Sequence, residues 1–193
     1  MRNVILTGFE PFDNHAVNPA QQIAERLNGE IIGGARVIGM TLPVVFGQDM
    51  ERLIPAIEAS EPALILSLGL NAASDAIDIE MFAINRRDTA DRTALLPIRE
   101  DGPAAYFATL DVERVVAAIQ ERIAVPVRRH GYAGSYLCNH VFYQTLHYVA
   151  ARGLAVPVGF VHIPPSSTIP LDDMTTAVRA ALEAALETGF LGR

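Results

Sequence analysis

Asn3-Val4-Ile5-Leu6-Thr7-Gly8, followed after a loop by Asn18-Pro19, is the stretch from which the architecture is read. Asn3 to Thr7 is a short apolar run without the polar alternation of a half-solvated strand, so it reads as a first strand buried on both sides. Gly8 begins the loop, and Asn18 and Pro19 form a good N-cap and first helical position for a helix towards Leu27. Strand-like and helix-like segments then alternate along the rest of the chain. Val37 to Leu42 reads as a strand, Asp49 to Ala59 as a helix with Leu53, Ile54 and Ile57 at helical spacing, and Ala63 to Leu68 and Ile77 to Ile84 as further strands. Residues 86 to 105, rich in Arg, Asp, Pro and Gly without a period, read as a long irregular excursion of the kind that is usually functional or mobile. Asp111 starts a helix to Ile123, Val125 to Tyr132 is extended, Asn139 to Arg152 is a helix stopped by Gly153, Val156 to Ile163 is a strand, and Leu171 to Glu187 is a closing amphipathic helix. The expectation is an α/β protein: a three-layer α/β/α sandwich around a twisted, mostly parallel but mixed central sheet, formed by residues 1–193 as one domain.

Composition fits that picture. Of 193 residues, 50% are hydrophobic and 19% charged, enough apolar surface to cover a sheet on both faces. A single cysteine excludes an intramolecular disulfide, and the first residues lack a basic segment followed by a long apolar one, which points to the cytoplasm and away from secretion. No run of about 18 apolar residues is present, so no membrane span is expected. A net charge of −7 argues against nucleic acid as a partner, and Arg128, Arg129 and His130 read as a solvated strand end.

The residues with chemistry lie at segment junctions, where α/β sheets gather their sites. Cys138 sits in Tyr136-Leu137-Cys138-Asn139-His140, where an extended segment turns into a helix. A sulfur at a helix N-terminus feels the partial positive charge of unpaired N–H groups, which favours an anion there. A lone intracellular cysteine is more often a small buried hydrophobe. What reverses that order is the company of His162, which precedes Pro164-Pro165 at a strand end, and of the carboxylates of Ile77-Asp78-Ile79-Glu80-Met81. Period-2 logic places Asp78 and Glu80 on one strand face and does not choose between them, and either is by itself most simply a solvated strand residue. Phe9 and Phe12 flank Glu10-Pro11 in an otherwise polar loop, so their rings pack either on the core or around a ligand. His15 and His130 read as loop residues, and His140 and His147 are too far apart on one helix to chelate a metal. With no CxxC or HExxH pattern, neither metal nor cofactor is expected.

Taken together, the segments resemble the pyroglutamyl peptidases, a family of cysteine omega-peptidases, over nearly the whole chain. The resemblance rests on Gly8-Phe9-Glu10-Pro11-Phe12 with Asn18-Pro19, on Thr41-Leu42-Pro43-Val44-Val45-Phe46, and on Glu80 followed by Ala83-Ile84-Asn85. Ala133 to His140 around the cysteine and Gly159-Phe160-Val161-His162-Ile163-Pro164 complete it. It implies Cys138 as nucleophile, His162 as proton carrier and Glu80, not Asp78, as the residue that orients the imidazole. It also implies a small apolar pocket using Phe9, Phe12, Asn18, Tyr136 and Leu137. The substrates implied are peptides with N-terminal pyroglutamate, and the assembly a homo-oligomer, either dimer or tetramer. Two positions depart from the family pattern. Gly69-Leu70 stands where a Gly-Gln pair is usual, and Ala90 where an arginine is usual, leaving Arg92 as the nearest cation to replace it. The rival readings are a non-catalytic or retargeted relative acting on another cyclic amide, and a nucleotide enzyme, against which stands the lack of a GxGxxG or P-loop motif.

Overall fold

The computed structural model describes residues 1–13, 15–89 and 93–190. In chain order the described elements are β1 (Arg2–Phe9), α1 (Pro19–Leu27), β2 (Ile31–Ile32), β3 (Ala35–Leu42), α2 (Gln48–Ser60), β4 (Leu64–Leu70) and β5 (Ile77–Ile84). There follow β6 (Arg87–Asp88), β7 (Leu95–Leu96), β8 (Ala105–Phe107), α3 (Val112–Arg122), β9 (Val127–Tyr132), α4 (Leu137–Ala151), β10 (Val158–Ile163) and α5 (Leu171–Thr188). The main sheet runs β2-β3-β1-β4-β10-β5, with β9 on the outer edge of β5 and the short β8 paired to the end of β5 on the side of β10. β3, β1, β4 and β10 are mutually parallel, β2 is antiparallel to β3, and β5 is antiparallel to β10 and β8 but parallel to β9, so the sheet is mixed and mostly parallel, as expected.

Side-chain alternation sends successive residues to opposite faces. Val4, Leu6, Leu64, Leu66, Leu68, Val161 and Ile163 pack with α1, α3 and α5 in one core. Ile5, Ile65, Val158 and Phe160 pack with α2 and α4 in the other. The consequence for the site is direct. Gly69 continues the α4-facing series of Ile65, and His162 continues that of Val158 and Phe160, both near the C-terminal ends of parallel strands.

Helix boundaries follow their caps. Asn18 accepts the backbone N–H of Ala20 (3.0 Å) to start α1, and Asp111 accepts that of Arg114 (3.0 Å) to start α3. Strand boundaries differ from the sequence expectation where pairing, invisible locally, extends them. Gly8 and Phe9 remain in β1 because they pair with Thr41 and Leu42 of β3, and β4 runs on to Leu70 because it pairs with Ile163. Gly33 and Gly34, at φ +55° and +74°, close the β2–β3 hairpin, whose first strand the sequence did not announce. Among its described residues, the excursion after β5 is irregular apart from the short β6–β7 pair and the start of β8.

Candidate active site

The site is assembled at the N-terminus of α4, over the ends of β4, β10 and β5. Helix α4 begins earlier than its sequence pattern indicates, with Tyr136 as N-cap residue and Cys138 already in the first turn. Tyr136 makes no side-chain capping bond to the helix, and the first N–H groups of a helix have no acceptor within it. Asn139 anchors this end. Its Oδ1 accepts the Ile84 N–H (2.9 Å), and its Nδ2 donates to the Ile84 carbonyl (2.9 Å) and the Arg86 carbonyl (2.8 Å), tying the helix start to the end of β5. Ser135 adds a second tie by donating to Asp88 (3.0 Å), which holds the beginning of the excursion against the turn before α4.

The sulfur of Cys138 lies tight against the sheet. A Cβ placed on Gly69 would stand 2.6 Å from Sγ, so only glycine admits the thiol here. His162, buried at 7% exposure, donates from Nδ1 to Oε1 of Glu80 (2.6 Å), and its ring faces Cys138. Burial alone disfavours the charged imidazole, yet the charge and hydrogen bonding of Cys138 and then of Glu80 outweigh it. The proton of His162 is therefore held up to about 10, against an ordinary value of 6.5. The pairing contributes stability that is complete below 6.5 and is lost as the pH rises through about 10. Glu80 itself is fully buried. A thiol beside an imidazole whose other nitrogen is held by a buried carboxylate is the arrangement of covalent acyl transfer.

In front of these groups opens a cleft of about 630 Å3, with Cys138 and His162 among its lining residues and Phe12, His15, Leu70, Asn71, Tyr132 and Tyr136 along its walls. Tyr136 is held edge-on against Phe46 (centroids 5.5 Å apart), over which the Arg87 guanidinium sits at 5.1 Å.

This geometry is accompanied by similarity to known proteins. The family profile described as Pyroglutamyl peptidase matches residues 2–188. The chain belongs to the pyroglutamyl peptidase family. It is 38% identical to the pyrrolidone-carboxylate peptidase of Chromobacterium violaceum over 98% of this chain and 95% of that protein. To the pyrrolidone-carboxylate peptidase of Pyrococcus furiosus it is 35% identical, over 95% of this chain and 98% of the relative. The solved pyrrolidone carboxyl peptidase of Thermococcus litoralis superposes with a TM-score of 0.90 at 30% identity, covering 97% of this chain and 94% of that one. Pyroglutamyl peptidase I of Bacillus amyloliquefaciens superposes at 0.89 and 30% identity, covering 97% and 98%.

Against this family background the expected pocket residues divide. Phe12 and Tyr136 line the cleft. Phe9 does not: as the last residue of β1 it is 2% exposed and packs in the α2/α4 core. Leu137 is likewise a core residue, because the first turn of α4 directs it inward at 2% exposure. Asn18 is buried as the α1 cap, where it also donates to the Glu10 carbonyl (3.3 Å), and it is absent from the cleft lining. Arg92 lies outside the described residues. Phe12→Ala is therefore expected to raise KM for a substrate bound in the cleft with little change in melting temperature. Phe9→Ala is expected to cost about 3–5 kcal/mol of stability with unchanged kinetics per folded molecule. Denaturant unfolding and steady-state kinetics on the two variants check both.

Other expectations are corrected. Asp78 and Glu80 are not solvated. Both are fully buried, and Asp78 accepts from Arg128 Nε (2.7 Å) and from Ser74 (2.7 Å). Arg128 and Arg129 are exposed on the strand β9, as read, but they are also paired, Arg128 with Asp78 and Arg129 with Glu113 (2.7 Å), and His130 reaches Glu80. His130 stands on β9, not in a loop. His140, on α4, is buried against Asp49 (2.6 Å), joining α4 to α2. The one sequence signal for the β9 contacts was complementarity: Asp78, Glu80 and Phe82 alternate on β5 as Arg128, His130 and Tyr132 do on β9. Among the described residues no helix is long and apolar enough to cross a membrane, and no group of metal-ligating side chains gathers.

Proposed function

We propose that this protein is a cysteine omega-peptidase that removes pyroglutamate from the N-terminus of peptides. The observation behind it is the conjunction of Cys138, His162 and Glu80 at the start of α4 in a chain of this family. The sulfur of Cys138 attacks the carbonyl that joins pyroglutamate to the next residue. His162 gives its proton to the departing amine, and Glu80 keeps the imidazole oriented and stabilises its charge. Water then attacks the thioester, with His162 accepting the proton, and releases pyroglutamate. The developing oxyanion is received by backbone N–H groups of the first turn of α4, including that of Cys138, whose helix dipole has the required sign. Pyroglutamate is a neutral lactam without a free amine, so a wall of Phe12, Leu70 and Tyr136 discriminates against charged N-termini. Release of the chromophore from a pyroglutamyl amide, with no release from the corresponding alanyl amide, is the expected result. Inactivity on the pyroglutamyl amide would favour the retargeted relative.

We infer further that Arg92 supplies the charge missing at Ala90. In support, its neighbours are engaged elsewhere: Arg86 donates to the Asn85 carbonyl (2.9 Å), and Arg87 sits over Phe46. Arg92→Ala is expected to lower kcat/KM by the equivalent of about 1–3 kcal/mol, and unchanged kinetics would remove it from the site. The same reading places the protein in the cytoplasm, where a lone thiol stays reduced, and takes it to be a dimer or tetramer.

A further inference from the structure

Glu80 is held by two imidazoles. His162 occupies Oε1 at 2.6 Å, and His130 approaches from the other side, 2.9 Å from Oε2 and 3.1 Å from Oε1 through its Nδ1. Because an ionised carboxylate only accepts, His130 presents Nδ1–H to it. Glu80 is fully buried, and among the described residues His130 is the one donor on Oε2. A buried carboxylate with one oxygen unpartnered is strongly disfavoured as an anion, and it is free to rotate about its last bond or to take up a proton. Either change loosens the grip on His162.

We propose that His130 is a positioning residue of the catalytic apparatus, holding Glu80 in the one orientation that aims His162 at Cys138. The inference rests on the peptidase reading above. What places His130 there is the parallel β5–β9 register, which sets Glu80 opposite His130 between two further matched pairs on the same face. These are Asp78 with Arg128, joined at 2.7 Å, and Phe82 with Tyr132, whose rings stack at 6.1 Å. The ion pair on one side and the stack on the other leave the His130 backbone little freedom, while its side chain remains 43% exposed and lines the cleft. It therefore touches Glu80 with one nitrogen without belonging to the packed core, which makes it separable by mutation. Among the described residues, the other ionisable groups on the elements packed around the pair include Asp78 on β5, Arg128 and Tyr132 on β9 and Cys138 on α4, while β4 contributes the uncharged Gly69 and Leu70.

The test compares His130→Ala with His130→Asn, whose side-chain nitrogen lies the same number of bonds from the backbone as Nδ1 and keeps a neutral donor. Hydrolysis of a pyroglutamyl amide and iodoacetamide alkylation of Cys138 are each followed against pH, and folding is checked by circular dichroism. In His130→Ala, kcat is expected to fall about tenfold with KM nearly unchanged, and alkylation near neutral pH to slow in parallel; His130→Asn is expected to recover most of both. Wild-type kcat and a wild-type alkylation profile in His130→Ala would overturn the proposal, as would equal losses in the two variants. If wild type failed to hydrolyse the amide at all, the peptidase reading would fall, and the alkylation profiles alone would still decide whether His130 governs the Glu80–His162 pair.

Discussion

Cys138→Ser is expected to abolish measurable hydrolysis while leaving the protein folded. An alcohol is a far weaker nucleophile than a thiolate, and the His162–Glu80 pair is set for an anionic partner, since the Cys138 charge is a principal reason the imidazole keeps its proton. The substitution is nearly isosteric and Cys138 is only half-buried, so the stability change should be small. A thiol alkylator should inactivate wild type with one equivalent incorporated, since Cys138 is the only cysteine, and pyroglutamate should slow the inactivation. Mass spectrometry of the alkylated protein together with kinetics of the serine variant settles the matter. Retained turnover in the variant, or activity that survives complete alkylation, removes Cys138 from the mechanism.

Glu80→Gln should lower turnover about a hundredfold or more, because an amide neither stabilises the imidazolium nor enforces its orientation. The effect has a pH signature. Glu80 raises the His162 value, so its removal should move the alkaline limb of the activity profile, expected near 10 in wild type, to lower pH. Asp78→Asn should behave otherwise. Asp78 is one strand repeat away on the same face, but its carboxylate is bonded to Arg128 and Ser74, so the variant should melt earlier while keeping kcat and its alkaline limb. A larger loss of turnover at Asp78 than at Glu80 would exchange their roles.

The contrast between these two carboxylates shows where local reading stops. Alternation along Ile77–Ile84 puts both on one face, and nothing in the strand distinguishes them. What separates them is which residue of β10 and which of β9 lies alongside, and neither strand is near β5 in the chain. The same holds for Phe9 and Phe12. An aromatic residue in a Gly- and Pro-containing segment is legible as needing a surface to cover, but whether that surface is core or cleft depended on β1 continuing to Phe9 through its pairing with Leu42.

Sequence alone determined the alternation of strands and helices, the capped starts of α1 and α3, the two-sided burial of the sheet and the presence of a thiol at a helix start, because these depend on residues within a few positions of each other. Motif resemblance singled out Cys138, His162 and Glu80 by matching separated segments, without showing what lies between them. Only the tertiary structure decided that β10, last of the strands in sequence, enters the sheet between β4 and β5, which sets His162 beside both Gly69 and Asp78. It also decided that β9 brings His130 onto the free oxygen of Glu80. Strand order and register arise from burying both sheet faces at once across the whole chain, a condition that no single segment encodes.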